Sequence, residues 1–181
     1  MKFSGIHFRW KLKLGKLKMV FNINDNGEIE DFEVDWLGKK VYVSMEEAEI
    51  YDKELEKQMS LILNNIKEWD VEIKNSIVKK YLGMANSRLR ENKLSIPLEN
   101  VIQKLGNSLT KYDVENARNG IITANFFFQN LTIDEIMPYS ISQFSVWAYD
   151  EVLFDGYVFI TDAEIYEKVV FDDLTTIYKK S

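Results

Sequence analysis

The stretch that decides the fold is Ile141 to Phe171, ISQFSVWAYDEVLFDGYVFITDAEIYEKVVF. It reads as three short strands in succession, an antiparallel meander, with a compact bend at Tyr149-Asp150-Glu151-Val152-Leu153-Phe154-Asp155-Gly156-Tyr157. Alternation places Phe144, Val146 and Ala148 on one strand face and Ser145, Trp147 and Tyr149 on the other. Val158 and Ile160 alternate with Tyr157 and Phe159 in the next strand, and Val169 and Phe171 complete the set.

Working back from this meander, the N-terminal quarter is also strand. Ile6, Phe8, Trp10, Leu12 and Leu14 alternate with polar neighbours, Gly15-Lys16 turns the chain, and Leu17, Met19, Phe21 and Ile23 return. Asn24-Asp25-Asn26-Gly27 is turn chemistry. Phe32, Val34 and Trp36, then Leu37-Gly38, then Val41, Val43 and Met45 form a second hairpin. The basic and acidic stripes of these strands are expected to meet as cross-strand pairs on one exposed face.

At Ser44 the period lengthens. Ser44 with Glu47 makes a capping-box signature, and Tyr51, Leu55, Met59, Ile62, Ile66, Trp69, Ile73, Ile77 and Tyr81 follow helical steps. One long helix or two would fit. Two are favoured, divided near Trp69-Asp70, with the stripe packed on the sheet or serving as a dimer seam. Leu94 to Leu105 reads as a shorter helix, with Pro97 at an early position and Gly106 at its end. Residues 107–120 read as a polar loop with a helical turn near Val114, and Ile121 to Phe128 as a strand. Leu131 to Ile136 reads as a capped turn or short strand that Pro138 ends, and the tail from Thr175 is expected to fray. The fold expected is α+β: hairpins over 1–45, helices over 46–106 and strands over 121–173. Together they make one mainly antiparallel sheet in a single domain, with helices on one face.

Composition narrows the chemistry. There is no cysteine, hence no disulfide or thiolate site, and the one histidine, His7, stands on the basic face of the first strand without a positioned partner. No phosphate loop or nucleophile elbow occurs, so no catalytic residue, metal ligand or cofactor is assigned. The net charge is −6, unevenly spread. Residues 1–20 hold six bases and no acid, while residues 134–173 hold ten acids against Lys168 alone. Such an acidic flank repels nucleic acid and anionic membranes and attracts basic proteins. Arg9, Lys11 and Lys13 interrupt the first apolar pattern, so no signal-peptide core forms and a cytoplasmic location is expected.

The bend is similar to a motif of a bacterial domain-of-unknown-function family, DUF 2262. Tyr149, Asp150, Glu151, Leu153, Phe154 and Gly156 match it, with Tyr157 where the family has histidine. Leu131 to Ile136 resembles the family's lead-in, and Trp36-Leu37-Gly38 its early turn. The resemblance implies a fold, no chemistry resting on that histidine, and, by association with such small families, an immunity protein. The binding set expected for a basic partner, a cognate toxin, is Trp147, Tyr149, Asp150, Glu151, Asp155 and Tyr157, in a monomer or homodimer. Two alternatives stand beside it: a metal-dependent site on Asp150, Glu151 and Asp155, and a scaffold that self-associates through the helical stripe.

Overall fold

The computed structural model describes residues 8–14, 17–24, 28–45, 52–140, 142–165, 169–171 and 176–179. His7, Gly15-Lys16, Asp25 to Gly27, the Glu46, Glu47 and Glu49 of the capping signature, and Tyr51 lie outside them. The architecture is α+β, as its sequence predicts. In chain order it comprises β1 (Phe8–Leu14), β2 (Leu17–Ile23), β3 (Phe32–Trp36), β4 (Lys39–Val43), α1 (Asp52–Asn64) and α2 (Ile66–Arg90). There follow α3 (Leu98–Leu105), α4 (Lys111–Arg118), α5 (Ala124–Asn130), β5 (Thr132–Ser140), β6 (Gln143–Tyr149), β7 (Tyr157–Ile165), β8 (Val169–Phe171) and β9 (Thr176–Lys179). No helix among the described residues is long and apolar enough to cross a membrane.

The chain packs as two compact units: Met1–Lys67, Asp134–Val146 and Asp162–Val170, and Glu68–Ile133, Trp147–Thr161 and Phe171–Ser181. In the first, β1 and β2 pair antiparallel as a ribbon of their own, from Phe8↔Ile23 to Leu14↔Leu17. The basic and acidic stripes therefore do not meet as strand neighbours, since Asp35 sits opposite Lys40 within the second hairpin. That hairpin alternates as expected, with Phe32, Val34, Trp36, Val41 and Val43 buried. Its two-residue turn needs positive φ at both positions, and Leu37 (53°) and Gly38 (85°) supply it. Asp35 Oδ1 accepts the Gly38 N–H at 3.0 Å and holds the turn.

The main sheet runs β3-β4-β5-β6-β7-β8, with β9 added beside β7. β4 and β5 are parallel, Val43 opposite Ile136, so α1 to α5 all lie in the crossover between two neighbouring strands. Pro138 does not end the segment but lies inside β5, past the last β4 pairing, where a missing N–H is tolerated. Of the tail, Thr176–Lys179 is strand rather than frayed: β9 pairs with β7 from Tyr157↔Lys179 to Ile160↔Thr176, while Thr175, Lys180 and Ser181 lie outside the described residues.

Two helices replace the long stripe, but they divide at Asn65 rather than at Trp69-Asp70. The Asn65 N–H turns back to Ile62 O (3.2 Å) and its side-chain amide donates to Leu61 O (2.9 Å), which closes α1. Trp69 and Asp70 are buried inside α2, Asp70 paired with Lys74 at 3.0 Å. Leu55, Met59, Ile62, Ile73, Ile77 and Tyr81 are all buried within the chain, so the stripe is core rather than a dimer seam.

Residues 107–130 depart furthest from expectation. The polar stretch contains α4, whose N-terminus carries a complete capping box between Thr110 and Asp113. Ile121 to Phe128 is no strand: Thr123 Oγ1 accepts the Phe126 N–H at 3.1 Å and starts α5, which buries Phe126 and Phe127. Propensity favoured a strand, and a cap together with tertiary packing overrode it.

Candidate functional site

The bend between β6 and β7 belongs to the second unit, and four other segments of that unit hold it. Asp150 begins it. Its Oδ1 accepts the N–H groups of Val152 (2.9 Å) and Leu153 (2.8 Å) and the side-chain amide of Asn130, from the end of α5, at 2.5 Å. The Phe154 N–H returns to Asp150 O at 3.2 Å, and the Tyr157 N–H to Phe154 O at 2.8 Å. Gly156, at φ 77°, lets the chain reverse into β7. This tight coil turns Val152, Leu153 and Phe154 inward, each fully buried.

Outside the coil, α2 and the α2–α3 connection grip the same backbone. Arg88 Nε donates to Leu153 O, while its guanidinium lies over the rings of Phe154 (5.5 Å) and Tyr157 (5.3 Å). The Ser95 N–H donates to Val152 O at 3.1 Å and its hydroxyl to Glu151 O. From α3, Lys104 reaches the Glu151 carboxylate at 3.3 Å. Beneath, Phe154 packs on Phe159 (5.0 Å between ring centres) and Phe127 (5.5 Å), and Phe159 on Tyr81 (5.2 Å). Such aromatic pairs contribute beyond their buried area, each by roughly 0.5–1.5 kcal/mol.

The six residues expected to meet a partner thus have different fates. Asp150 is 1 % exposed, a turn cap rather than a contact residue. Tyr157 shares the face of Phe159 and lies under Arg88 on the helix side, opposite the side expected for binding. Phe159 itself is core. Trp147 and Tyr149, half-buried, alternate in β6 with the buried Val146 and Ala148, and Glu151 and Asp155 are exposed at the bend. In β7, Val158 and Ile160 point away from the Tyr157 and Phe159 side, and the register places Tyr178 of β9 beside Val158. Tyr178 is 55 % exposed and was missed because the tail was expected to fray. The side that Val158 and Ile160 share is not uniformly wet, since Val158 is buried.

Two buried carboxylates of this unit contrast sharply. Asp113 is 2 % exposed and fully satisfied. Its Oδ2 accepts from the Thr110 N–H (2.8 Å), the Thr110 hydroxyl (2.7 Å) and the Asn125 amide (2.7 Å), and its Oδ1 from the Thr123 hydroxyl (2.5 Å). Burial opposes its ionisation, but these donors outweigh burial and bring its pKa down to about 2. For Asp150 burial wins over the Leu153, Asn130 and Val152 donors on Oδ1 and pushes the carboxyl above the usual range. Its Oδ2 is buried with no hydrogen-bond partner.

Asp150, Glu151 and Asp155 do not converge on a point: one faces inward, one meets Lys104, and among the described residues no three of His, Asp and Glu could hold a metal ion together. The coil disperses carboxylates that are close only in sequence. The carboxylate cation site thereby loses its basis. No family model, curated protein or solved structure matches the chain.

Proposed function

We propose that this chain is a non-enzymatic protein-binding domain, an immunity protein that inhibits a basic toxin in the cytoplasm. The resemblance of its bend to DUF 2262 belongs to the same proposal. The observation that carries it is the set of half-buried Trp147 and Tyr149 in β6 and exposed Tyr178 in β9, with Glu151 and Asp155 exposed at the bend that follows β6. Aromatic anchors with an acidic margin suit a basic partner: the charges speed encounter and the rings supply desolvated contact. The bend beneath is rigidly held, so little ordering would oppose binding. The ion pair of Glu151 with Lys104 is more than half exposed on both sides and so is weak enough for a partner to replace.

The test is copurification of the tagged chain with the product of its neighbouring gene, at low and at high salt. The expected result is a stoichiometric complex that separates in high salt. Replacing Trp147 with Ala should shorten the complex's lifetime. Reversing Glu151 and Asp155 to Lys should slow association and flatten its salt dependence, with the fold intact by circular dichroism. If the chain purifies alone, from its own host's lysate as well, or if both variants bind like the parent, the proposal fails.

A further inference from the structure

The geometry points to a second property of the bend, independent of any partner: Asp150 is a proton-operated latch. In the folded chain it is held as a neutral carboxylic acid, and loss of its proton releases the Val152–Phe154 coil. Three observations converge. The carboxyl group is buried, and one of its oxygens, Oδ1, receives three N–H donors and so cannot carry the proton. The other, Oδ2, is buried without any donor, so a negative charge there would be neither hydrated nor paired. And among the described residues no cation pairs with it.

Three bases on the elements around the bend are directed elsewhere, and a fourth, Lys179 of β9 opposite Tyr157, is exposed. Arg88 of α2 is directed to Leu153 O and the two rings, Lys104 of α3 to Glu151, and Lys93 of the α2–α3 connection to Glu91 at 2.6 Å. Asp155 and Glu151 are acids and add repulsion rather than relief. Asn130, from α5, is neutral and donates only to Oδ1. When the Oδ2–H bond breaks and the proton passes to water or hydroxide, the charge can be solvated only if the coil opens. Opening undoes the caps on the Val152 and Leu153 amides and exposes three consecutive apolar side chains.

Two measurements on the full chain test this. Carbon-13 carboxyl titration, with the Asp150 signal assigned by its loss in Asp150→Asn, should show this aspartate holding its proton to higher pH than an ordinary aspartate. Amide exchange at Val152 and Leu153 should steepen with rising pH relative to amides of α4, by up to about tenfold more opening per pH unit between the ordinary aspartate value and that of Asp150 in the closed coil, and the extra slope should vanish above the latter. Asp150→Asn, which keeps the Oδ1 acceptor and cannot ionise, should remove that extra steepness. A carboxyl that titrates at the usual aspartate value, or an extra steepness shared by parent and variant, overturns the latch. Should the variant not fold, the titration of the parent chain alone decides.

Discussion

The sharpest test of how this chain holds its helices is Asp113→Asn. The substitution keeps size and shape but puts an NH2 group where a carboxylate oxygen now sits. The Oδ2 position faces the Thr110 N–H, the Thr110 hydroxyl and the Asn125 amide, all within 2.8 Å. One orientation of the new amide sets its NH2 against three donors at Oδ2; the other keeps those bonds to a neutral oxygen but makes the Thr123 hydroxyl turn from donor to acceptor at Oδ1. Hydrogen bonds to a charged group contribute about 1.5–3 kcal/mol each but are not additive in a network, so the expected loss is about 3–5 kcal/mol. Part of it must depend on pH. The folded-state pKa lies below the ordinary 3.8, at about 2. The stabilisation is therefore complete above 3.8 and fades as pH falls through about 2. The displacement corresponds to about 2 kcal/mol. Urea unfolding of parent and variant at a series of pH values, read by circular dichroism, gives both numbers. A gap under 1 kcal/mol at neutral pH, or one that does not narrow in acid, would refute the account of Asp113 as an ionised hub joining the caps of α4 and α5.

Two further substitutions probe the second unit. Gly83 is exposed in the middle of α2, and a Cβ placed there meets nothing within 4 Å. Gly83→Ala should therefore raise stability by about 0.5–1 kcal/mol in the same urea assay, and a loss would mean that this helix face is not free. Arg88→Lys keeps the charge but gives up the Nε bond to Leu153 O and the planar contact with Phe154 and Tyr157. It should cost about 1–3 kcal/mol and speed amide exchange across 153–157 first, whereas unchanged exchange there would remove Arg88 from the grip on the bend.

What could be read in the sequence, and what could not, follows the range of the forces involved. The second hairpin was legible because Phe32, Val34 and Trp36 alternate with acids and Leu37-Gly38 punctuates them, all within a few residues. The meander was legible for the same reason. Phe126-Phe127-Phe128 has no period at all, and only the cap Thr123 marks a helix start. Thr110 three residues before Asp113 was a readable capping signal in a segment taken for loop. The bend misled in a different way. Asp150, Glu151 and Asp155 look alike on paper, and the burial of the first depends on Asn130, twenty residues upstream, together with α2 and the α2–α3 connection. The unbroken apolar run Val152-Leu153-Phe154 was the local hint: three inward side chains in a turn require a cap for their amides, and Asp150 is placed to provide it. Tyr178 escaped because strand pairing at the end of a chain has no local signature.

The parallel seam between β4 and β5 also sets a timetable. Val43 leaves the ribosome some 90 residues before its partner Ile136, an interval of roughly 5–20 s at ordinary synthesis rates. Throughout it the β3–β4 hairpin is already able to form, with Val41 and Val43 on one side and a row of unpaired backbone groups along β4. The nascent chain must shelter that sticky border from its neighbours on the polysome, and the helices are synthesised during the wait. Quick translation of the stretch between the two strands would shorten the exposure, and a pause within it would lengthen the window for aggregation.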